Sequence, residues 1–157
     1  MTIGPFFPRE FAVGTSDLAA GTQGDPIEIT GRVVQADGRS LDNVVLEIWQ
    51  ADAQGHFDNP AFCGWGRAAT NADGIYLFRT IRPGAGPGRA PHINFLLLYS
   101  GLMRQLQTVM YFDDSPDPLL QSLKERRERL VAKKEGENRY RFDIRLRGEG
   151  ETPFFDD

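Results

Sequence analysis

The sequence predicts a mostly β protein, an antiparallel β-sandwich with one helix in its C-terminal third. Three observations support this fold class: short alternating or apolar runs from residue 25 to residue 111, Asp-Gly dipeptides at turns between such runs, and one segment with a helix-capping pattern. No internal repeat or low-complexity linker divides the 157 residues. We therefore expect a single domain over 1–157, with residues 1–24 as an N-terminal arm.

Short strands make up most of the predicted sandwich. The predicted strands outside hairpins are the runs 27–34, 43–51, 92–99 and 106–112. The stretch 66–81 is predicted to form a β-hairpin, because its Asp-Gly dipeptide supplies the positive φ angles of a tight turn. Its second strand would carry Tyr76 and Phe78 on one face. The unbroken apolar run Phe95–Tyr99 predicts a strand buried on both faces.

The pattern changes after residue 115. Asp117 is a predicted N-cap, Pro118 takes the first helical position, and Gly136 is predicted to end the helix. The apolar side of this helix would consist of Leu119, Leu123, Leu130 and Val131. The basic run 124–134 is interleaved with glutamates, which favours a solvated helix face over a phosphate-binding patch. A last strand would bury Tyr140, Phe142, Ile144 and Leu146 by alternation.

Composition limits the classes of partner. The net charge of −4 disfavours a nucleic-acid partner, and the longest apolar run is far too short to span a bilayer. The single cysteine, Cys63, excludes an intrachain disulfide and is predicted to be buried core filler. The N-terminal residues lack the pattern of a secretion signal. We expect a cytoplasmic protein with neither a nucleic-acid nor a membrane partner.

His92 is the first candidate for chemistry. It begins an apolar strand, where it could be a metal ligand, a general base or a hydrogen-bonded core residue. Alternate residues of a strand share a face, so an H-x-H pair here could grip one metal ion. Asn94 stands at the second place, and a carboxamide is a poor ligand for a transition metal. The other histidine, His56, lies in a predicted turn and is expected to face solvent.

Tyrosines could also bind ferric iron, but all four fall inside predicted strands, where tyrosine usually serves as a core residue with a hydroxyl handle. They are Tyr76, Tyr99, Tyr111 and Tyr140. The sequence contains no nucleophile elbow, phosphate loop, dinucleotide fingerprint or HExxH motif. The residues alone therefore indicate a β-sandwich without a complete catalytic constellation.

Several longer motifs carry a resemblance. In order along the chain they are TIGPFF, LEIWQADAQGHF, GWGRAAT, FRTIRPG, APHINF, VMYFDD and YRFDIRLRGEGETPFFDD. Together they resemble the intradiol ring-cleaving dioxygenases over nearly the whole chain, and most closely the α-type subunits of that family. The resemblance implies an active site between two related sandwiches. A β-type subunit holds non-haem Fe(III) through two tyrosines and two histidines, and the α-type subunit has lost these ligands.

The resemblance assigns positions in this chain. His92 takes the place of the first histidine ligand and Asn94 the place of the second, while no tyrosine stands in the two segments where the family has its tyrosine ligands. This chain would therefore hold no metal and supply no catalytic residue, and a partner chain would hold the iron. The substrate-pocket wall implied for this chain consists of Gly4, Pro5, Phe6, Ser100 and Arg104. Ser100 replaces an arginine that faces the substrate carboxylate, and Arg104 is a candidate substitute.

The implied function is that of an α-type subunit that completes the pocket of an iron-bearing β-type subunit. The assembly would incorporate O2 into a catecholic, protocatechuate-like ring and open it. One alternative is a prealbumin-like sandwich that self-associates as a binding or structural protein without chemistry. Another is a self-sufficient dioxygenase that uses His92 with unconventional ligands.

Overall fold

Two β-sheets face each other in the computed structural model of the chain, which describes residues 16–19, 23–35, 37–99, 105–146 and 151–155. The strands are β1 (Pro26–Val34), β2 (Val44–Gln50), β3 (Trp65–Ala69), β4 (Ile75–Ile81), β5 (His92–Tyr99), β6 (Leu106–Tyr111), β7 (Lys133–Gly136), β8 (Arg139–Arg141) and β9 (Ile144–Arg145). Between β6 and β7 lie α1 (Pro118–Ser122) and a 3₁₀ helix (Lys124–Leu130). No helix in these ranges is long and apolar enough to cross a membrane. The predicted mostly β class is confirmed.

The two sheets differ in how their strands pair. One has the order β4-β1-β8-β7, with β9 also paired to β1, and the other has the order β3-β2-β5-β6. The second sheet is antiparallel throughout. In the first, β1 pairs antiparallel with β4 but parallel with β8 and β9. The sandwich is therefore mostly antiparallel, as predicted, and β1 pairs parallel with the C-terminal strands β8 and β9.

Alternation along the strands builds the core between the sheets. The ring of Phe95 on β5 lies 5.9 Å from Tyr76, 6.2 Å from Phe78 and 5.3 Å from Phe142, measured between centroids, and all four side chains are at most 2% exposed. These contacts join the two sheets, because the partners of Phe95 belong to the opposite layer. The predicted burial of β5 on both faces is confirmed at Phe95, Leu96 and Leu97, each fully buried.

The hairpin predicted over 66–81 is wrong. β3 pairs with β2 and β4 pairs with β1, so the connection between them crosses from one sheet to the other. The turn itself forms, since Gly74 has a φ of +75° and its N–H donates to the carbonyl of Asn71 (2.9 Å). Turn chemistry fixes the reversal of the chain but not whether the flanking strands pair. The prediction that Tyr76 and Phe78 share one face of this strand is confirmed, and both side chains are buried.

The helix begins where the sequence predicts. The Asp117 carboxylate accepts hydrogen bonds from the backbone N–H groups of Leu119 (3.0 Å) and Leu120 (3.2 Å), and Pro118 is the first helical residue. These contacts satisfy donors that a helix N-terminus otherwise leaves unpaired. Leu120, rather than Leu119, is the fully buried residue of α1.

The predicted end of the helix at Gly136 is wrong. Lys124 has a φ of +54°, in the left-handed region, and α1 stops before it at Ser122. The chain continues as the 3₁₀ helix to the fully buried Leu130, and Gly136 then ends β7 instead. The basic run is solvated as predicted, since Lys124 through Arg129 are exposed or only partly buried.

Cys63 is exposed, so its prediction as buried core filler is wrong. The neighbouring Phe62 is buried in its place, 6% exposed. The prediction for His56 is confirmed, because this histidine is exposed beside a turn. Of the predicted N-terminal arm, residues 16–19 run along β4: the N–H of Arg79 donates to the Ser16 carbonyl (2.8 Å) and that of Leu18 to the Arg79 carbonyl (2.7 Å). Residues 1–15 and 20–22 of the arm lie outside the described residues.

Candidate functional site

β2 and β6 end, and β3 and β5 begin, along one edge of the antiparallel sheet, namely the edge that runs across the ends of its four strands. On the outward face of this edge, strand register places Trp49 opposite both Trp65 and Asn94, and His92 opposite Tyr111. Alternate residues of the same strands point into the core between the sheets, so these five side chains share the opposite face of the sheet. The fold therefore brings the predicted pair of His92 and Asn94 onto one face, beside aromatic rings.

A cleft of about 490 Å³ opens next to this edge. Trp49 and Trp65 form part of its wall, stacked with their centroids 5.1 Å apart and their planes 17° from parallel. The connection between β2 and β3 supplies Phe57 and Phe62, and Asn59 adds a polar group. An aromatic wall with few polar groups is the composition of a site for a small apolar or aromatic molecule.

The connection that carries Phe57 is held by Asp52, a side chain that is 4% exposed. Its Oδ1 accepts the backbone N–H groups of Gln54 and His56, both at 2.9 Å, and its Oδ2 accepts the Asn59 amide at 2.8 Å. Burial alone would raise the pKa of Asp52, but these hydrogen bonds outweigh it and lower the pKa below the ordinary value. The carboxylate therefore fixes the loop that closes the cleft.

His92 is a buried, hydrogen-bonded residue, 8% exposed. Its Nδ1 lies 2.8 Å from the Ala90 carbonyl oxygen, which assigns the proton of the neutral ring to Nδ1. The ring packs between Phe57 and Tyr111, with centroid distances of 6.3 and 6.0 Å. Burial lowers the pKa of His92 below its ordinary value of 6.5. Of the three roles considered for His92, the geometry supports that of a hydrogen-bonded core residue rather than a metal ligand or a general base.

The donor set around His92 does not fit an iron ion. Asn94 offers a carboxamide whose Nδ2 makes a long hydrogen bond (3.4 Å) to the Trp49 carbonyl. On the other side stands Phe57, an aromatic ring without an oxygen. Within the described ranges, no cluster of three or more His, Cys, Asp or Glu side chains could hold a metal. One imidazole cannot bind Fe(III), a hard cation that requires several ligands, oxygen ligands among them.

Tyr111, which stands opposite His92 in the sheet, belongs to a buried hydrogen-bond network. Its hydroxyl donates to Asp117 Oδ1 (2.9 Å) and accepts from Arg89 Nη2 (3.1 Å), while Arg89 Nε and the N–H of Ala90 both donate to Asp117 Oδ2 (2.9 and 3.0 Å). Burial, opposed by the Arg89 hydrogen bond, raises the pKa of Tyr111 to about 12. Burial would raise the pKa of Asp117, but its hydrogen bonds from Arg89 and Tyr111 lower it.

The other tyrosines also serve the core. The hydroxyl of Tyr76 donates to the Phe142 carbonyl, and that of Tyr140 accepts from Arg82 Nη1. Tyr99 lies half-buried in β5. The prediction that the tyrosines are strand residues rather than ligands on a loop bordering a cleft agrees with these positions.

The predicted substrate-pocket wall of Gly4, Pro5, Phe6, Ser100 and Arg104 lies outside the described residues. Sequence reasoning missed Phe57, which faces His92, and Asp52, which holds the loop. A signal for Asp52 was present, because its three partners lie within seven residues of it, as in an Asx turn. The contact of Phe57 with His92 is long-range and left no local signal.

Comparison with known proteins agrees with this geometry. The family model described as Dioxygenase matches residues 7–148. The chain is 40% identical to the protocatechuate 3,4-dioxygenase alpha chain of Pseudomonas putida, over 85% of this chain and 77% of that one. It is 38% identical to the protocatechuate 3,4-dioxygenase beta chain of Burkholderia cepacia, over 83% of this chain and 68% of that one.

Solved structures show the same fold. The dioxygenase domain of a dioxygenase carbohydrate-binding protein fusion from Streptomyces sp. SirexAA-E superposes with a TM-score of 0.75 at 30% identity, over 94% of this chain and 96% of that one. An alpha chain and a beta chain of protocatechuate 3,4-dioxygenase thus match this chain at similar identity. The sandwich, the matched motifs and these relatives together show that the chain belongs to the intradiol ring-cleaving dioxygenases.

Proposed function

We propose that this chain is an α-type subunit of an intradiol dioxygenase of the protocatechuate 3,4-dioxygenase type. It would hold no iron and would complete the substrate pocket of an iron-bearing β-type chain. The observation that carries the proposal is the outward start of β5, where His92 and Asn94 share a face and Phe57 covers His92. A catalytic member needs several ligands at this place, and here one imidazole remains.

The remaining polar groups at this edge are already used within the chain. His92 engages Ala90 through Nδ1, Asn94 engages Trp49, and Tyr111 engages Asp117. Such hydrogen bonds stabilise buried polar groups. The bond from His92 leaves Nε2 with its lone pair, but a single imidazole is too few ligands for Fe(III). These residues therefore support the sheet, and the iron chemistry of the assembly belongs to the partner.

A heteromeric assembly is supported by the relatives, because both an alpha and a beta chain of protocatechuate 3,4-dioxygenase are homologous to this chain. The partner would hold non-haem Fe(III), and a protocatechuate-like catechol and O2 would meet at the interface. This chain would supply Gly4, Pro5 and Phe6 along the ring of the substrate. A cytoplasmic location belongs to the same proposal and is consistent with the single cysteine.

The proposed wall residues Ser100 and Arg104 follow β5 in the sequence, whereas the degenerate edge, which comprises His92, Asn94 and Tyr111, lies at the start of β5. His92 and Tyr99 are the two ends of β5, and seven steps of about 3.3 Å separate them by about 23 Å. Within the proposal, the end of β5 that serves the partner's pocket is thus distinct from the end that lost its ligands. Changes at the two ends should have different effects.

The test is co-expression with a β-type chain and assay of O2 uptake with protocatechuate and with unsubstituted catechol. The His92→Phe complex should keep its iron content and its turnover within about twofold. Ser100→Arg should shift preference toward the carboxylated catechol, because an arginine fork pairs with a carboxylate. Loss of iron in the His92→Phe complex would show that this chain carries a ligand. A complex that fails to form at all would favour the self-associating alternative.

A further inference from the structure

A second cavity, of about 400 Å³, lies on the outward side of the other sheet, where β1, β8 and β9 meet the 3₁₀ helix. Five basic side chains line it: Arg32, Arg129, Lys133, Arg141 and Arg145. They come from β1, the 3₁₀ helix, β7, β8 and β9, so the tertiary fold gathers them. The chain as a whole has a net charge of −4, which makes this concentration of positive charge a local feature.

Two carboxylates also line the cavity, Glu128 and Asp143, so the lining keeps an excess of positive charge. Asp143 is already engaged. Its Oδ1 accepts the backbone N–H of Arg32 (2.8 Å) and Arg141 Nε (3.0 Å), and its Oδ2 lies 3.1 Å from the same Nε. Asp143 therefore balances the charge of Arg141, and within the described residues no ion pair to the side chain of Arg32 offsets its charge.

Arg32 contributes a buried donor to the set. Its Nε is buried, and this donor finds no hydrogen-bond partner among the residues that the structure describes. A buried donor without an acceptor is rare and destabilising, and a guanidinium carries a full charge as well. An anion in the cavity would provide the missing acceptor.

Thr152 adds a polar group to the lining. Its side chain is buried, and its Oγ1 accepts the backbone N–H of Arg145 (2.8 Å), which leaves its own proton to be donated. Arginine forks and a hydroxyl are the donors that proteins commonly use for carboxylate and phosphate oxygens.

We propose that this cavity binds a small multivalent anion through carboxylate or phosphate oxygens, with Arg32 as its principal ligand. Arg129 and Lys133 would supply further positive charge at the mouth. The proposal is independent of the proposed subunit function, because it lies on a different sheet and involves no residue of the degenerate edge.

The test uses the full-length protein in the assembly in which it purifies. Calorimetric titration with citrate, with inorganic phosphate and with chloride, at matched ionic strength, should show one saturable site for citrate or phosphate and none for chloride. Tighter binding of citrate would assign a polycarboxylate ligand, and tighter binding of phosphate a phosphorylated one. Binding of neither anion above the chloride baseline would overturn the proposal.

Variants connect the binding to the cavity. Arg32→Gln should raise the dissociation constant for the anion about tenfold or more, as expected for loss of a charge-assisted contact. Arg129→Gln, in the 3₁₀ helix, gives a second measurement of anion affinity in case Arg32→Gln fails to fold. The matched control is Arg139→Gln on β8, an exposed arginine that pairs with Glu28 (3.3 Å) outside the cavity and should bind as the wild type does. Equal affinity in both test variants and the control would contradict the assignment.

Discussion

The hydroxyl of Tyr111 donates to Asp117 at 2.9 Å and thereby ties the end of β6 to the start of α1. The same carboxylate accepts from Arg89 and from the backbone of Ala90, just before β5. Since Tyr111 stands opposite His92 in the sheet, this buried carboxylate holds the backbone on both sides of the degenerate edge. These hydrogen bonds therefore fix the start of β5 and the end of β6 relative to each other.

Removing this carboxylate should be costly. Asp117→Ala leaves Tyr111 and Arg89 without their acceptor and uncaps α1, so the free energy of unfolding should fall by about 3 kcal/mol. Urea denaturation of the purified protein measures the change. Asp114→Ala is the control, since Asp114 forms an exposed pair with Arg127 (3.1 Å) and its loss should cost no more than about 0.5 kcal/mol. Equal losses would contradict the network.

His92 should make stability depend on pH. Burial lowers its pKa in the folded state, so the unfolded chain binds a proton at higher pH than the folded chain does. The free energy of unfolding should therefore fall as the pH decreases below about 6.5, by about 1 kcal/mol between pH 7.5 and pH 5.5. His92→Phe should remove this component. Replacing the exposed His56 by Asn should keep the wild-type difference, and a His92→Phe protein with that difference intact would refute the burial argument.

Asn94→His should create a weak site for Ni²⁺ or Zn²⁺. The new imidazole would share a face with His92, whose Nε2 keeps its lone pair because Nδ1 is engaged by Ala90. We expect affinity at least about tenfold above that of the wild type, measured by calorimetry, for a two-imidazole site. Asn94→Gln controls for loss of the contact with Trp49. No gain in metal affinity would show that the two side chains do not converge.

Gly31 tests the close approach of β1 to the C-terminal strands. A Cβ added there would lie 1.9 Å from the Phe142 carbonyl oxygen, so Gly31→Ala must displace backbone. We expect a loss of about 3 kcal/mol or more in the free energy of unfolding. Gly136→Ala in β7 is the control, because its nearest new contact is 3.7 Å and its φ is not positive. That change should be neutral or stabilise by about 0.5 kcal/mol. Comparable losses in the two variants would be inconsistent with the packing.

The sequence predicted elements that depend on local patterns. Strand β5 was predicted with both its ends, and Asp117 was predicted as the helix cap, because alternation and capping are properties of neighbouring residues. The predicted hairpin is wrong because strand pairing depends on contacts between residues that are distant in the chain. The predicted helix end at Gly136 is wrong because Lys124 takes a positive φ, which its residue type does not indicate.

The candidate site was predictable only in part. The pair of His92 and Asn94 follows from the two-residue period of a strand, and the poor fit of this pair to a transition metal follows from the chemistry of an amide. That Phe57 covers His92, and that Arg32 meets Arg129 and Lys133 around a cavity, depends on contacts between elements distant in the chain. No local pattern carries such information.

The central prediction for this chain is that it lacks an iron site of its own. The most direct test is the iron content of the full-length chain expressed without a partner, after incubation with ferrous iron in air and removal of unbound metal. We expect a colourless protein with substoichiometric iron and no cleavage of catechols. Stoichiometric iron, a visible absorption band and unaided catechol cleavage would contradict it.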